Sequence, residues 1–298
     1  MNADGRFAPS PTGPLHLGSL RTALVAWLVA RSQSACFRLR IEDLDPQRSR
    51  PEFERSQLAD LTALGIDWDG QVLRQSERLP EYEQALAELQ AQGRSYRCYC
   101  TRAEIREAAS APHGDYPESA YPGTCRQLAE PERRARERIG RPYALRLRAE
   151  GERIEFSDGL LGAQGSRVDD FVLRRADGVP AYQLAVVVDD AAQAIGQVVR
   201  GADLISSTPR QILLYRLLGL PEPSFAHVPL VLGPDGARLA KRHGAVTLSE
   251  RAEPPEVVLA RLAHSLEMAQ GRTRVVGAAE LLTEFAPDRV PREPVSLI

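Results

Sequence analysis

His16 and Gly18, in HLGS, stand immediately before a run with helical spacing, and together they suit the holding of an anion. Gly18 removes the β-carbon where the chain turns, so backbone amides can approach a phosphate closely. The helix N-terminus adds unpaired N–H donors and the positive end of its dipole, and His16 adds a further donor. Far downstream, ARLAKRHGA places Lys241, Arg242 and His243 in a glycine-flanked loop. Lysine and arginine there suit a phosphate chain. A third group is sulfur: Cys98, Cys100 and Cys125 cluster, and with 4 cysteines in all the chain has no disulfide scaffold. Three thiolates so placed point to a metal. Structural zinc takes four ligands, and from side-chain chemistry alone His113 is the preferred fourth.

These groups lie far apart in the chain, so a fold must gather them. GRFAP reads as a strand end, followed by the turn PSPTGP. Leu20, Ala23, Leu24, Trp27, Leu28 and Ala30 recur at helical spacing, which predicts a helix from Ser19 to Ser32. CFRLRIEDLD alternates as a strand whose end carries Glu42, Asp43 and Asp45, completing a βαβ unit. Residues 51–65 and 77–92 are expected as amphipathic helices. Pro/Gly-punctuated APHGDYPESAYPGTC and the charged AEPERRARERIG then mark an insertion, 95–175. The apolar run LAVVV in PAYQLAVVVDD predicts a buried parallel strand, QVVRGADLI and a helix at Pro209–Leu218 follow, and RTRVVGAAELLTEF is the clearest helix of the last stretch. The expected units are therefore 1–94 and 176–232, two halves of an α/β domain, with the insertion between them and 233–298 after.

Composition limits the function classes. Hydrophobic residues at 43% and charged residues at 26% are ordinary for a globular chain, and a net charge of −2 excludes a globally basic nucleic-acid binder. MNADGRFAP has no basic-then-apolar leader pattern, and no apolar run is long enough to span a membrane, so a cytoplasmic protein is expected. No heptad run calls for a dimer, which leaves a monomer as the expectation. Arg133, Arg134 and Arg136 interleave with Glu132 and Glu137, which predicts a solvated helix face.

An early HxG turn after a first strand and a late lysine loop, bracketing an α/β domain, resemble the two signatures of class I aminoacyl-tRNA synthetases. RFAPSPTGPLHLGSLRTAL, RIEDLD, AVVVDD, VVRGADLISSTPRQ and LAKRHGA are similar, in order, to the successive signatures of the glutamyl group of that class. The second signature there begins KLSKR; Arg238 and Ala240 depart from it, while Lys241 is kept. The resemblance implies a Rossmann-type parallel sheet with a small zinc-binding α+β insertion and a C-terminal helical segment. It also implies ATP with Mg2+ as substrate beside His16, Gly18 and Lys241. Arg6, Ala8, Ser10, Glu42, Tyr182 and Arg200 would then form the pocket for L-glutamate, with guanidinium groups for its carboxylates and Glu42 for its ammonium. Asp189 and Asp190 receive no role and are expected to be structural. A substrate carboxylate is already ionised at neutral pH, so positioning and charge stabilisation suffice for activation.

YPGTC resembles the Tyr-x3-Cys ending of the group's short, queuosine-modifying branch, which makes Tyr121 the fourth zinc ligand with Cys98, Cys100 and Cys125, in place of His113. Gln127 stands where zinc-binding members of the longer branch often carry histidine. Only residues 246–298 follow Ala245, too few for a separate anticodon-reading domain. By resemblance the expectation is transfer of activated glutamate to the queuosine base in the anticodon loop of tRNA(Asp). Two alternatives are a truncated synthetase charging tRNA(Glu) and a non-catalytic regulator derived from a synthetase.

Overall fold

The structure is a computed structural model and describes residues 3–101, 103–105, 121–239, 247–250 and 253–297. β1 (Gly5–Phe7) lies parallel to β2 (Phe37–Ile41), and α1 (Leu17–Ser32) is the crossover between them. α1 is buried on most of its circumference, from Leu17 and Leu20 through Trp27 and Leu28. Its core partners include Val258, Leu259 and Leu262 of the C-terminal segment, which explains why its apolar content exceeds that of a one-sided surface helix. Even Arg21 is inside, donating to Pro229 O at 3.0 Å and Ser265 Oγ at 2.9 Å.

α2 (Pro51–Ala63) carries the chain to β3 (Leu73–Arg74), which pairs in parallel with β2. The second half of the sheet is built from β9 (Gln197–Gly201) and β10 (Ser224–Val228), parallel over five residue pairs. The halves meet where Asp4 bridges Ile195 and its carbonyl accepts from the amides of Gly196 and Gln197. β1 and β9 therefore lie side by side at the point where strand order reverses. Open α/β sheets form their ligand crevice at the carboxyl ends of such a pair.

α3 (Leu79–Ala91) leads into β4 (Ser95–Cys98), which forms a small antiparallel sheet with β5 (Ala144–Leu147) and β8 (Val172–Arg174). α4 (Glu130–Arg138) follows the thiol region and has no buried residue; Arg133 and Arg134 both pair with Glu130. β6 (Arg153–Asp158) and β7 (Gly162–Arg167) form a hairpin, and β6 joins the main sheet by pairing Asp158 with Phe225 of β10. Residues inside the expected insertion 95–175 thus serve the central sheet as well.

Two expected elements differ. LAVVV lies in α5 (Tyr182–Ala192), not in a strand. Leu184, Ala185, Val186 and Val187 are all buried, and a continuous apolar run does not distinguish a buried strand from a buried helix. In RTRVVGAAELLTEF only Ala278–Leu281 coil, as a 3-10 turn. Val275 N donates to Glu256 O and Ala278 N to Leu64 O, so the backbone is tied to other segments and its apolar residues wrap the core without a helix. The C-terminal α-helix is instead α7 (Pro255–His264). α6 (Thr208–Leu217) forms one residue ahead of its expected start. The short β11 (Val231–Leu232) pairs with β12 (Val295–Ser296), returning the chain's end to the sheet region.

Candidate active site and thiol cluster

The turn PSPTGP has prolines that cannot donate, and four of its carbonyls are bound from outside the turn. Pro9 O accepts from Glu42 N, Pro11 O from Arg50 N, and the Gln57 amide of α2 donates to both Ser10 O at 3.0 Å and Gly13 O at 2.7 Å. The sequence offered no signal for Gln57, because its partners are backbone atoms of a distant loop. His16 is the N-cap of α1: its Nδ1 accepts from Ser19 N at 3.1 Å. Nδ1 is therefore unprotonated, and burial, with Arg238 nearby, lowers the imidazole pKa, so the ring is neutral with its hydrogen on Nε2. A β-carbon on Gly18 would lie 3.0 Å from His16 Nδ1 and 3.1 Å from Cε1. Glycine is needed here to seat the histidine.

A cavity of about 560 Å³ opens at the carboxyl ends of β1 and β9, and Arg6, Ala8, Ser10, His16, Gly18, Glu42, Tyr182 and Arg200 all line it. The structure brings these eight together from four separate segments. Lys241 lies outside the described residues, as does His113. On either side of that segment, Arg238 lines the same cavity and donates to Asp203 at 2.5 Å, and Thr247 forms an antiparallel bridge with His16.

The charges in the cavity wall and directly behind it follow two patterns. Arg6 donates to Asp190 Oδ1 at 3.3 Å and to Val199 O at 3.2 Å. Arg40, fully buried, donates to the same Asp190 oxygen at 2.6 Å and contacts Glu42 at 3.4 Å and Asp189 at 3.8 Å. Asp189 is also bound by Gln75, Arg78 and Tyr82. Burial opposes ionisation of Asp190, but Arg40 and Arg6 outweigh it and hold the pKa low; Glu42 is raised by burial despite the same two arginines. Arg6, Arg40 and Arg78 are thus matched by Asp189, Asp190 and Glu42. The aspartates expected to be structural are the counter-ions of this wall.

Arg200 is different. It is 4% exposed, and its acceptors are His227 Nε2 at 3.0 Å, Gln211 Oε1 at 2.7 Å, Thr208 Oγ1 at 2.7 Å and Leu204 O at 3.4 Å. None is charged, and among the described residues no carboxylate pairs with it. Burial lowers its pKa. A buried guanidinium with no carboxylate in contact is a group that an anionic ligand can pair with directly.

Cys98, Cys100 and Cys125 close a second cluster, their sulfurs within 4.8 Å of one another. The Tyr121 hydroxyl lies 3.4 Å from Cys98 Sγ and 3.6 Å from Cys100 Sγ, and Cys100 and Cys125 are 3.4 Å apart. A tetrahedral ion with bonds of about 2.3 Å to sulfur places its ligands about 3.8 Å apart, so three thiols and this phenol fit one zinc. Burial pushes the Cys100 thiol up to about 12, whereas Cys125, although also desolvated, is lowered by donors that include Tyr99 N. The Arg146 guanidinium stacks 3.7 Å from the Tyr121 ring centre, a cation–π contact at the edge of the cluster.

Three comparisons with known proteins agree with this geometry. The family model described as tRNA synthetases class I (E and Q), catalytic domain, matches residues 3–294. The chain is 58% identical to the glutamyl-Q tRNA(Asp) synthetase of Nocardia farcinica over 97% of its length and 91% of that protein's. It is 41% identical to the glutamate–tRNA ligase of Geobacter sulfurreducens, covering 96% of this chain but 61% of that one. Among solved structures, a glutamate-tRNA synthetase from Elizabethkingia anophelis superposes with a TM-score of 0.84 at 28% identity, over 99% of this chain and 68% of that one. From the parallel sheet with its crevice at the switch point, the capped HxG turn and these matches, the chain belongs to the class I tRNA synthetases of the E and Q kind and carries their catalytic domain.

Proposed function

We propose that this chain activates L-glutamate with ATP and transfers the glutamyl group to the queuosine base in the anticodon loop of tRNA(Asp), acting as a cytoplasmic monomer. The observation that carries the activation half is Arg200, a buried cation with only neutral partners in the cavity that also holds Glu42 and the capped N-terminus of α1. Glutamate's side-chain carboxylate supplies the missing anion. Arg6 assists it, Glu42 receives the ammonium, and Tyr182, Ala8 and Ser10 shape the remaining walls. His16, through Nε2–H, and the amides after Gly18 face the ATP phosphates, with Lys241 joining from the late loop. Magnesium carried by ATP supplies further neutralisation of phosphate charge. An oxygen of the substrate α-carboxylate attacks the α-phosphorus and pyrophosphate departs with the bond pair, giving glutamyl-adenylate. A hydroxyl of the queuosine cyclopentene diol then attacks the acyl carbon, releasing AMP and a proton. Relatives named glutamyl-Q tRNA(Asp) synthetase, at 58% and 53% identity over nearly the whole chain, support this acceptor.

Radiolabelled glutamate incubated with ATP and either queuosine-containing tRNA(Asp) or tRNA(Glu) tests the reading. Label should appear on tRNA(Asp) alone. Label found only on tRNA(Glu), at its terminal ribose, would replace it with an orthodox charging enzyme. Absence of glutamate-dependent ATP–pyrophosphate exchange would leave a non-catalytic binder.

Cys98, Cys100, Tyr121 and Cys125 would hold one structural zinc, and residues 95–175 and 233–298 would contact the RNA. Metal analysis of Tyr121→Phe and His113→Ala checks the ligand set: the tyrosine variant should lose affinity for zinc and the histidine variant keep it. Loss confined to the histidine variant sinks the assignment.

A further inference from the structure

Arg200 keeps its place through a chain of buried groups that ends outside the cavity. Its Nε donates to His227 Nε2 at 3.0 Å, and a guanidinium can only donate, so that ring nitrogen carries no hydrogen. The ring hydrogen is then on Nδ1, which donates to Asp158 Oδ2 at 2.5 Å. Asp158 is held in turn by three amides, those of Leu160, Leu161 and His227, all on its other oxygen, Oδ1. His227 and Asp158 side chains are both fully buried, on neighbouring strands β10 and β6. Burial opposes ionisation of Asp158, but the imidazole and these amides hold it down to about 2, so it acts only as an acceptor.

We infer that Asp158 and His227 are positioning residues: Asp158 fixes the tautomer of His227, His227 offers Arg200 a neutral acceptor in place of a carboxylate, and the pair thereby keeps Arg200 aimed and free of a direct ion pair for the substrate's side-chain carboxylate. The consequence is selectivity for an acid over its amide. A carboxylate at position 227 would neutralise Arg200 from behind, as Asp190 neutralises Arg6 and Arg40, and would remove the demand for an anionic ligand. An imidazole with the wrong tautomer would set N–H against N–H and displace the guanidinium. The inference rests on the proposal that Arg200 meets glutamate, and it adds how that contact is prepared.

Asp158→Asn is the discriminating variant. The three amides require the Asn oxygen at the Oδ1 position, so the NH2 group faces His227 Nδ1 and drives the ring hydrogen to Nε2. In glutamate-dependent ATP–pyrophosphate exchange, KM for glutamate should rise by about 10- to 100-fold, the range of one charge-assisted hydrogen bond. KM for ATP should change less than about twofold and the preference for glutamate over glutamine should fall in parallel, whereas general loosening of the fold would move both substrates together. Nitrogen-15 shifts of the His227 ring should report hydrogen on Nδ1 in the unaltered protein and on Nε2 in the variant. If Asp158→Asn does not fold, His227→Leu and His227→Gln replace it: leucine should raise KM for glutamate, and glutamine, whose amide oxygen can accept from Arg200, should recover most of the loss. A flipped tautomer with unchanged glutamate KM, or equal effects of leucine and glutamine, overturns the inference. Failure of the unaltered protein to exchange at all would strike the proposed function instead, and the two failures are told apart by that control.

Discussion

On one side of the cavity Arg6 and Arg40 share the carboxylate of Asp190, while on the other Arg200 bonds only to an imidazole nitrogen, an amide, a hydroxyl and a carbonyl. Both walls are buried, and both would cost heavily if left unsolvated and unpaired. The first wall has its counter-ions built in, so its charges are settled before any ligand arrives. The second satisfies hydrogen-bond geometry but leaves Arg200 without a carboxylate in direct contact. Stability is served by the first arrangement and ligand selection by the second, which is the usual conflict between a settled core and a poised site.

Breaking each wall should therefore give different results. Asp190→Asn takes from Arg6 its carboxylate and leaves Arg40 only the longer contacts to Glu42 and Asp189, and should cost about 3–5 kcal/mol of folding stability, read as a lower denaturant midpoint with unchanged slope. Arg200→Met removes a cation that no carboxylate contacts but leaves the buried acceptors of His227, Gln211 and Thr208 without their donor, so unfolding of the ligand-free protein should shift to lower denaturant by about 1–3 kcal/mol, less than for Asp190→Asn. The same variant should raise KM for glutamate by about 10- to 100-fold, and saturating glutamate, expected to raise the melting temperature of the unaltered chain, should not raise that of the variant. If Arg200→Met were as destabilised as Asp190→Asn, the distinction between the two walls would be wrong.

How much of this was legible beforehand differs between the walls in the same way. HLGS marks His16 by type and position, the resemblance of RIEDLD and VVRGADL to the glutamyl group's signatures marks Glu42 and Arg200, and the three line one cavity. Arg40 and Asp190 were not legible as partners, because their contact joins β2 to α5 across 150 positions. The apolar run before Asp189 reads equally well as a strand, and as a strand it would have pointed the two adjacent aspartates to opposite faces rather than both toward Arg40. Asp158 was hidden more deeply, since a hairpin within the expected insertion supplies it to the central sheet. Local pattern reveals residues anchored by their own turn or helix; it does not reveal counter-ions brought in by tertiary pairing.

The smallest effect concerns pH. His227 is lowered from its ordinary pKa chiefly by burial, with Asp158 pulling the other way. A histidine depressed in the folded state binds protons more readily when unfolded, so its stabilising contribution is full above about pH 6.5 and is lost as pH falls. Asp60, pushed up to about 6 by burial, titrates in the opposite sense over the same range and would blur the raw profile. The difference between the unaltered chain and His227→Gln cancels that contribution. It should be largest at pH 7.5 and shrink below pH 6.5, by at most about 1.4 kcal/mol per pH unit, in denaturant titrations at pH 7.5, 6.5 and 5.5. A difference constant across the three would mean that His227 binds protons equally in both states, and the unprotonated Nε2 that Arg200 depends on would lose its support.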